Sequence, residues 1–179
     1  VLYGQDYIGT LQAYLGAGLF HLFGASLFIL RQSSLILFTL FLICMYILIS
    51  MLYSRGLALV TLLMLSIGPS EVLFNQLEAV GGFIEVLLFG TILLLLALWL
   101  ARTSRTDPLK KLSWKRVVAY PIWGLTVGVA LWSNPVVLPF VVAAGLLIAL
   151  FCRSELHVPV ITLLVLGVLV GLAPQLIYK

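Results

Sequence analysis

Long apolar runs, broken by one basic segment, constrain the fold of this chain more than any other feature. A membrane-spanning helix needs about 20 mainly apolar residues, and residues 83–101 hold a single charged side chain, that of Glu85. Only 9% of all residues are charged, whereas a soluble domain carries about 25%. The sequence therefore predicts an all-α, polytopic transmembrane helical bundle in the cell membrane, with the lipid bilayer as one partner and no nucleic acid.

Positive charge orients the predicted spans. Residues 102–116, RTSRTDPLKKLSWKR, hold six of the ten Lys and Arg residues. Because cytoplasmic loops carry an excess of these residues, we expect this segment inside the cell. Arg55 and Arg153 then fall on the same side, which leaves only Arg31 and Lys179 on the outer side.

The first apolar stretch, residues 8–30, is not interpreted as a membrane span. Only Arg31 separates it from the next stretch, and that is too short a connection for two antiparallel helices. We therefore expect residues 9–23 to form a helix along the outer interface, so that residues 1–30 are an outer loop with this helix. Residues 31–179 are expected to form a six-span module with spans at 31–53, 57–70, 83–101, 117–133, 136–152 and 158–177.

Acidic side chains recur at a helical spacing near the third predicted span. Glu71, Glu78 and Glu85 are seven residues apart, so they share one stripe of a helix, and Asn75 lies on the same stripe. Gly81-Gly82 is expected to bend the helix there. A solvated loop face is the other interpretation of Glu71 and Glu78.

Two charged residues are candidates for function because of their surroundings. Glu85 lies in an apolar span, where an acid is costly unless it faces a polar cavity or a partner; a purely structural partner is the alternative. Arg31 is suited to clamp a phosphate with its guanidinium group, and snorkelling to the lipid headgroups is its alternative. Asn134 lies in an outer connection, and no metal-ligand spacing is present, so no metal or other cofactor is expected.

Two pairs of small residues, Gly124/Gly128 and Gly167/Gly171, predict faces for helix packing. Cys44 and Cys152 lie within apolar runs, where free cysteines are usually buried.

Four stretches together resemble the integral-membrane glycosyltransferases of the GT-C fold, which include the protein O-mannosyltransferases and the lipid A aminoarabinose transferase. The resemblance is to bacterial relatives of these enzymes and covers nearly the whole chain. Its stretches are YGQDYIGTLQAYLGAGLFHLFGASLFILR (3–31), SIGPSEVLFNQLEAVGGFIEVLLFG (66–90), GLTVGVALWSNPVVLPF (124–140) and GLAPQLIYK (171–179).

The resemblance implies sugar transfer from a polyprenyl-phosphate donor to a lipid, glycan or protein acceptor at the outer face, with inversion. It implies catalytic roles for Glu78, Glu85 and Asp6. Substrate-binding roles are expected for Arg31, Tyr7, Gln5, Asn75 and Asn134. It also implies a fragment of a larger membrane module that lacks the family's first span and its catalytic Asp-Glu pair. A transporter or lipid flippase subunit is the alternative, and a scaffold without chemistry is a third.

Overall fold

The computed structural model describes residues 11–67, 83–104 and 113–177. Every regular element in these ranges is helical, which confirms the predicted all-α fold. The α-helices are α1 (Leu11–Phe23), α2 (Leu27–Leu52), α3 (Arg55–Ser66), α4 (Phe83–Arg102), α5 (Trp114–Ser133), α6 (Leu138–Phe151) and α7 (Val158–Ile177), with a 3₁₀ helix at Pro135–Val137 before α6.

Three stretches of helix are long and apolar enough to cross a membrane: Leu27–Leu52, Phe83–Arg102 and Val158–Gln175. Two apolar helical stretches are shorter, Arg55–Ser66 and Pro135–Phe151. At 1.5 Å per residue, the 12 residues of α3 cover about 18 Å. This is less than the hydrocarbon thickness of about 30 Å. The predicted span at 57–70 continues into residues 68–70, which lie outside the described residues.

The first two helices are separated at Gly24, not at Arg31 as the sequence analysis assumed. Gly24 has a φ of 85°, a left-handed conformation that costs glycine little. Ser26 then caps α2, because its hydroxyl accepts a hydrogen bond from the Ile29 backbone N–H at 3.4 Å. The assumption that Arg31 alone connects the two apolar stretches was therefore wrong, whereas the predicted helix over residues 9–23 is present as Leu11–Phe23.

The chain divides into two compact units, Val1–Thr91 and Ile92–Lys179. In the first unit, the Gln12 side chain contacts Ser34, and Gly16 lies against Leu30. Contacting residue numbers rise along α1 while they fall along α2, so these two helices run antiparallel.

In the second unit, α5 is the central helix. It runs antiparallel to α4, because Trp123 bonds to Leu93 whereas Arg116, seven residues earlier, bonds to Leu100. It runs antiparallel to α6 as well, because Gly145 lies against Trp123 and Cys152 against Arg116. Successive antiparallel helices place the ends of α4 and α6 beside the start of α5.

The predicted glycine faces join α5 to α7. A Cβ atom added to Gly124 would collide with the Leu164 carbonyl oxygen, and one added to Gly128 with that of Val168. A Cβ at Gly171 would lie 2.8 Å from the Cα of Gly128. Residue numbers rise together in both helices, so α5 and α7 are parallel. The two small-residue pairs are confirmed as a packing face on which the backbones touch.

Candidate functional site

Glu85 lies in the first turn of α4 and is 1% exposed. Its Oε1 atom accepts a hydrogen bond of 2.9 Å from the backbone N–H of Gln12, near the start of α1. The first N–H groups of a helix lack partners within the helix, and the positive end of the helix dipole favours a negative group. The backbone of α1 therefore supplies the polar partner that an acid in an apolar helix requires, with no cation needed for that bond.

The Gln12 side chain extends this contact to α2. Its Nε2 atom donates a hydrogen bond of 2.6 Å to the hydroxyl of Ser34, and both residues are buried. Ser33, also buried, donates its hydroxyl to the Leu30 carbonyl oxygen at 2.7 Å. Gln12, Ser34 and Glu85, here called the Gln12 cluster, thus join α1, α2 and α4 through buried polar bonds.

Five of the predicted site residues belong to segments 1–10 and 68–82, which lie outside the described residues: Gln5, Asp6, Tyr7, Asn75 and Glu78. Glu71 and the predicted bend at Gly81-Gly82 lie outside them as well. The described chain resumes directly after these segments at Leu11 and Phe83. The Gln12 cluster contains the second residue of α1 and the third residue of α4.

Arg31 is exposed and lies in the second turn of α2, five residues after the capping Ser26. The sequence analysis placed it at the start of a span, but α2 begins at Leu27. A guanidinium group in this position is accessible to an anion from solvent or from the headgroup layer.

Asn134 ends α5, and its side chain has a local structural role. Its Oδ1 atom accepts a hydrogen bond of 3.0 Å from the Val136 backbone N–H. This bond caps the 3₁₀ helix that begins at Pro135. Asn134 lies at the opposite end of α5 from Arg116, so the predicted outer position and the predicted cytoplasmic segment are at opposite ends of this helix.

A second polar cluster, which the sequence analysis missed, lies where the ends of α4 and α6 meet the start of α5. Arg116 is 3% exposed. Its Nε and Nη2 atoms lie 2.9 Å and 2.8 Å from Glu155 Oε2, and Nη2 also donates to the Leu100 carbonyl oxygen at 3.0 Å. Its Nη1 atom donates to the hydroxyl of Thr103. Arg116 and Glu155, with Tyr120, are called the Arg116 cluster below.

The partners of Arg116 keep its guanidinium group positively charged. The Tyr120 hydroxyl donates a hydrogen bond of 2.9 Å to the same Glu155 Oε2 atom. Burial by itself lowers the pKa of Arg116, but the hydrogen bond and the negative charge of Glu155 outweigh burial and raise that pKa above its ordinary value. The guanidinium group and Glu155 therefore form a buried ion pair whose polar atoms also bond to neutral groups.

The sequence did contain a signal for this pair. Consecutive antiparallel helices bring the start of α5 and the residues after α6 to the same end, so the sequence predicts that Arg116 and Glu155 lie at one end of these helices. Arg116 was counted only among the charges that orient the chain. A cation at the end of an apolar helix nevertheless needs a partner when the neighbouring helices bury it.

No group of three or more His, Cys, Asp or Glu side chains that could hold a metal ion occurs in residues 11–67, 83–104 and 113–177. Comparison with protein-family models, with curated proteins and with solved structures found no match.

Proposed function

We propose that this chain is part of a membrane glycosyltransferase that moves a sugar from a polyprenyl-phosphate donor to an acceptor. One observation carries the proposal: the hydrogen bond between Gln12 and Glu85 joins the starts of α1 and α4. These are the helices that follow segments 1–10 and 68–82, and each segment holds predicted acidic and polar site residues. The bond fixes the two points at which these segments enter the described structure.

In this proposal, Glu85 has a positioning role. One of its carboxylate oxygens accepts a hydrogen bond from the backbone of α1 and its side chain is buried, so we assign it to holding α1 against α4. Proton removal from the acceptor is assigned to a carboxylate in the adjoining segments, Asp6 or Glu78. A positioned general base contributes about 10²–10⁴-fold to a rate.

Arg31 is assigned to the phosphate of the lipid donor. Its exposure leaves the guanidinium accessible, and the planar group can bind two phosphate oxygens at once. Because the departing lipid phosphate carries the negative charge that develops during transfer, a nearby cation stabilises the leaving group.

The test measures transfer of a labelled sugar from polyprenyl phosphate by purified protein that contains this chain in its natural full length. We expect Glu78→Gln or Asp6→Asn to lower the rate about 10²–10⁴-fold without altering the unfolding temperature. Arg31→Ala is expected to raise the donor concentration needed for half-maximal rate, and Arg31→Lys, which keeps the charge, to have a smaller effect. Wild-type rates in both acid variants and Arg31→Ala would refute the assignment.

A transporter or flippase subunit is the second candidate. The observation in its favour is the Arg116–Glu155 pair, since paired charges buried among apolar helices also occur in transport proteins. Movement of labelled polyprenyl-phosphate sugar across vesicles that hold the protein, with no transfer to any acceptor, would favour this candidate over the enzyme.

A further inference from the structure

The end of the second unit that holds the Arg116 cluster also carries exposed cations. Arg102 ends α4, Lys115 lies in the first turn of α5, and Arg153 follows α6; all three are exposed. We propose that Arg102, Lys115 and Arg153, here called the basic rim, bind the headgroups of anionic phospholipids. This inference does not depend on the proposed function.

The Arg116 cluster brings the three cations of the basic rim together. Arg102 immediately precedes Thr103, whose hydroxyl accepts a hydrogen bond from Arg116. Lys115 immediately precedes Arg116 itself. Arg153 follows Cys152, whose sulfur lies 3.8 Å from Arg116 Nη2. Since consecutive Cα atoms are about 3.8 Å apart, each rim cation is anchored within one residue of the same buried group. A second bond, 2.6 Å from the Ser104 hydroxyl to the Phe151 carbonyl oxygen, holds α4 against α6 here.

The charge at this end is not balanced by the described residues. Within residues 99–104, 113–116 and 151–158 there are four Lys and Arg side chains and one acid. That acid, Glu155, is buried against Arg116. The pair neutralises itself, and three positive charges are presented to the surroundings. A ligand for the basic rim must therefore be anionic.

The neighbouring side chains favour a bilayer over a nucleic acid or an acidic protein. Large apolar side chains are exposed near the cations in the chain. Trp114 precedes Lys115 and is 77% exposed, while Leu150 and Val158, three and five residues from Arg153, are 71% and 78% exposed. A lipid covers both kinds of surface at once, because its acyl chains contact the apolar flanks while its phosphate meets the cations. Tryptophan beside lysine and arginine is typical of the membrane–water interface, and basic groups at helix ends attract anionic headgroups.

The test compares spin-labelled phosphatidylglycerol with spin-labelled phosphatidylcholine in bilayers that contain the protein, and measures the fraction of each lipid immobilised on it. Each cation near a membrane surface contributes about 1 kcal/mol, which equals about a fivefold preference. We expect the natural chain to prefer phosphatidylglycerol. Substitution of the basic rim by Gln (Arg102→Gln, Lys115→Gln, Arg153→Gln) is expected to lower that preference by about fivefold or more.

The matched control exchanges each cation for the other type, as Arg102→Lys, Lys115→Arg and Arg153→Lys. Attraction to a headgroup needs the charge, so this variant is expected to keep the preference. All variants retain Arg116 and Glu155, and their unfolding in phosphatidylcholine is recorded in parallel. An unchanged preference after substitution by Gln, or an equal loss in the charge-conserving variant, would overturn the proposal.

Salt provides a test that requires no variant. Raising ionic strength from about 0.05 M to about 0.5 M shortens the screening length several-fold, so the preference of the natural protein should fall. A preference that is constant across this range would count against the basic rim. Equal displacement of both lipids by millimolar inorganic phosphate would show a general anion site instead and would likewise overturn the proposal.

Discussion

Removal of the Glu155 carboxylate is expected to destabilise the second unit strongly, because it leaves the buried Arg116 guanidinium without its ion-pair partner. The side chains of Arg116 and Glu155 are only 4% and 5% exposed. In Glu155→Ala, the Arg116 guanidinium keeps hydrogen bonds to Thr103 and to the Leu100 carbonyl oxygen, but it loses the carboxylate with which it forms an ion pair. Tyr120 loses its acceptor at 2.9 Å as well. An unpaired buried charge costs about 3–5 kcal/mol.

The double variant Arg116→Met/Glu155→Leu tests whether the instability of Glu155→Ala comes from the unpaired charge or from lost packing. It removes both charges and fills the space with apolar atoms, which is often neutral or stabilising by about 1–4 kcal/mol. The free energy of unfolding is measured in neutral detergent by titration with a denaturant, followed by far-ultraviolet circular dichroism. The single variants Arg116→Met and Glu155→Leu form a cycle with this double variant, which isolates the interaction between the two side chains.

Arg153→Met is the matched control, since it removes an exposed cation two residues from Glu155 and is expected to change stability by less than about 0.5 kcal/mol. If Glu155→Ala unfolds at the same denaturant concentration as the natural protein, Glu155 is not the buried partner of Arg116. If the double variant is as unstable as Glu155→Ala, the loss arises from packing and the charge argument is refuted.

Three further predictions concern packing, the Gln12 cluster and topology. Gly128→Ala should lower the free energy of unfolding by about 1–3 kcal/mol because its Cβ meets the Val168 carbonyl oxygen; Gly145→Ala, whose Cβ has its nearest neighbour at 3.9 Å, should not destabilise. Ser34→Ala should lower the free energy of unfolding by about 1–3 kcal/mol because the Gln12 side chain loses its acceptor. Ser50→Ala is the control and should have little effect, because the Ser50 hydroxyl bonds within its own helix. Equal losses of stability in the two variants would contradict the role of the Gln12 cluster. Cysteines at Ser104 and Asn134, with Cys44 and Cys152 replaced by Ala, should react with an impermeant reagent from opposite sides of the membrane, and labelling of both from one side would reject the predicted topology.

Much of the helical architecture followed from the sequence because apolar runs and small residues have direct physical consequences. Predicted spans at 83–101 and 158–177 match α4 and α7 within one residue at each end. The glycine pairs predicted a close helix contact, since absence of a Cβ is the condition for one. The turn at Gly24 was missed although Ser26, a favoured capping residue, followed it. The residues around Gly24 are mostly apolar, so hydropathy alone shows no break between the two helices.

The candidate site was less predictable. Helical spacing shows which residues share one face of a helix, but it does not show which residues of other helices pack against that face. The place of Glu85 in an apolar span predicted that it needs a partner, but not that a backbone N–H would be one. One observed partner is the backbone N–H of Gln12, which is 73 positions away in the chain. Any residue except proline carries that group, so no side-chain pattern distinguishes it. Only the turn at Gly24, which folds α1 back along α2, places it beside Glu85.

Glu85 and Glu155, the two acids among the described residues, are both buried and both need a polar partner. Their partners differ in kind. Glu155 is paired with a buried cation, so both charges are needed together and neither can act without destabilising the second unit. Glu85 is held by a helix N-terminus, and Arg31 remains exposed on α2. The exposed guanidinium of Arg31 is the group that we propose for the donor phosphate. The Gln12 cluster therefore fixes the starts of α1 and α4, while the Arg116 cluster stabilises the helix ends beside the basic rim.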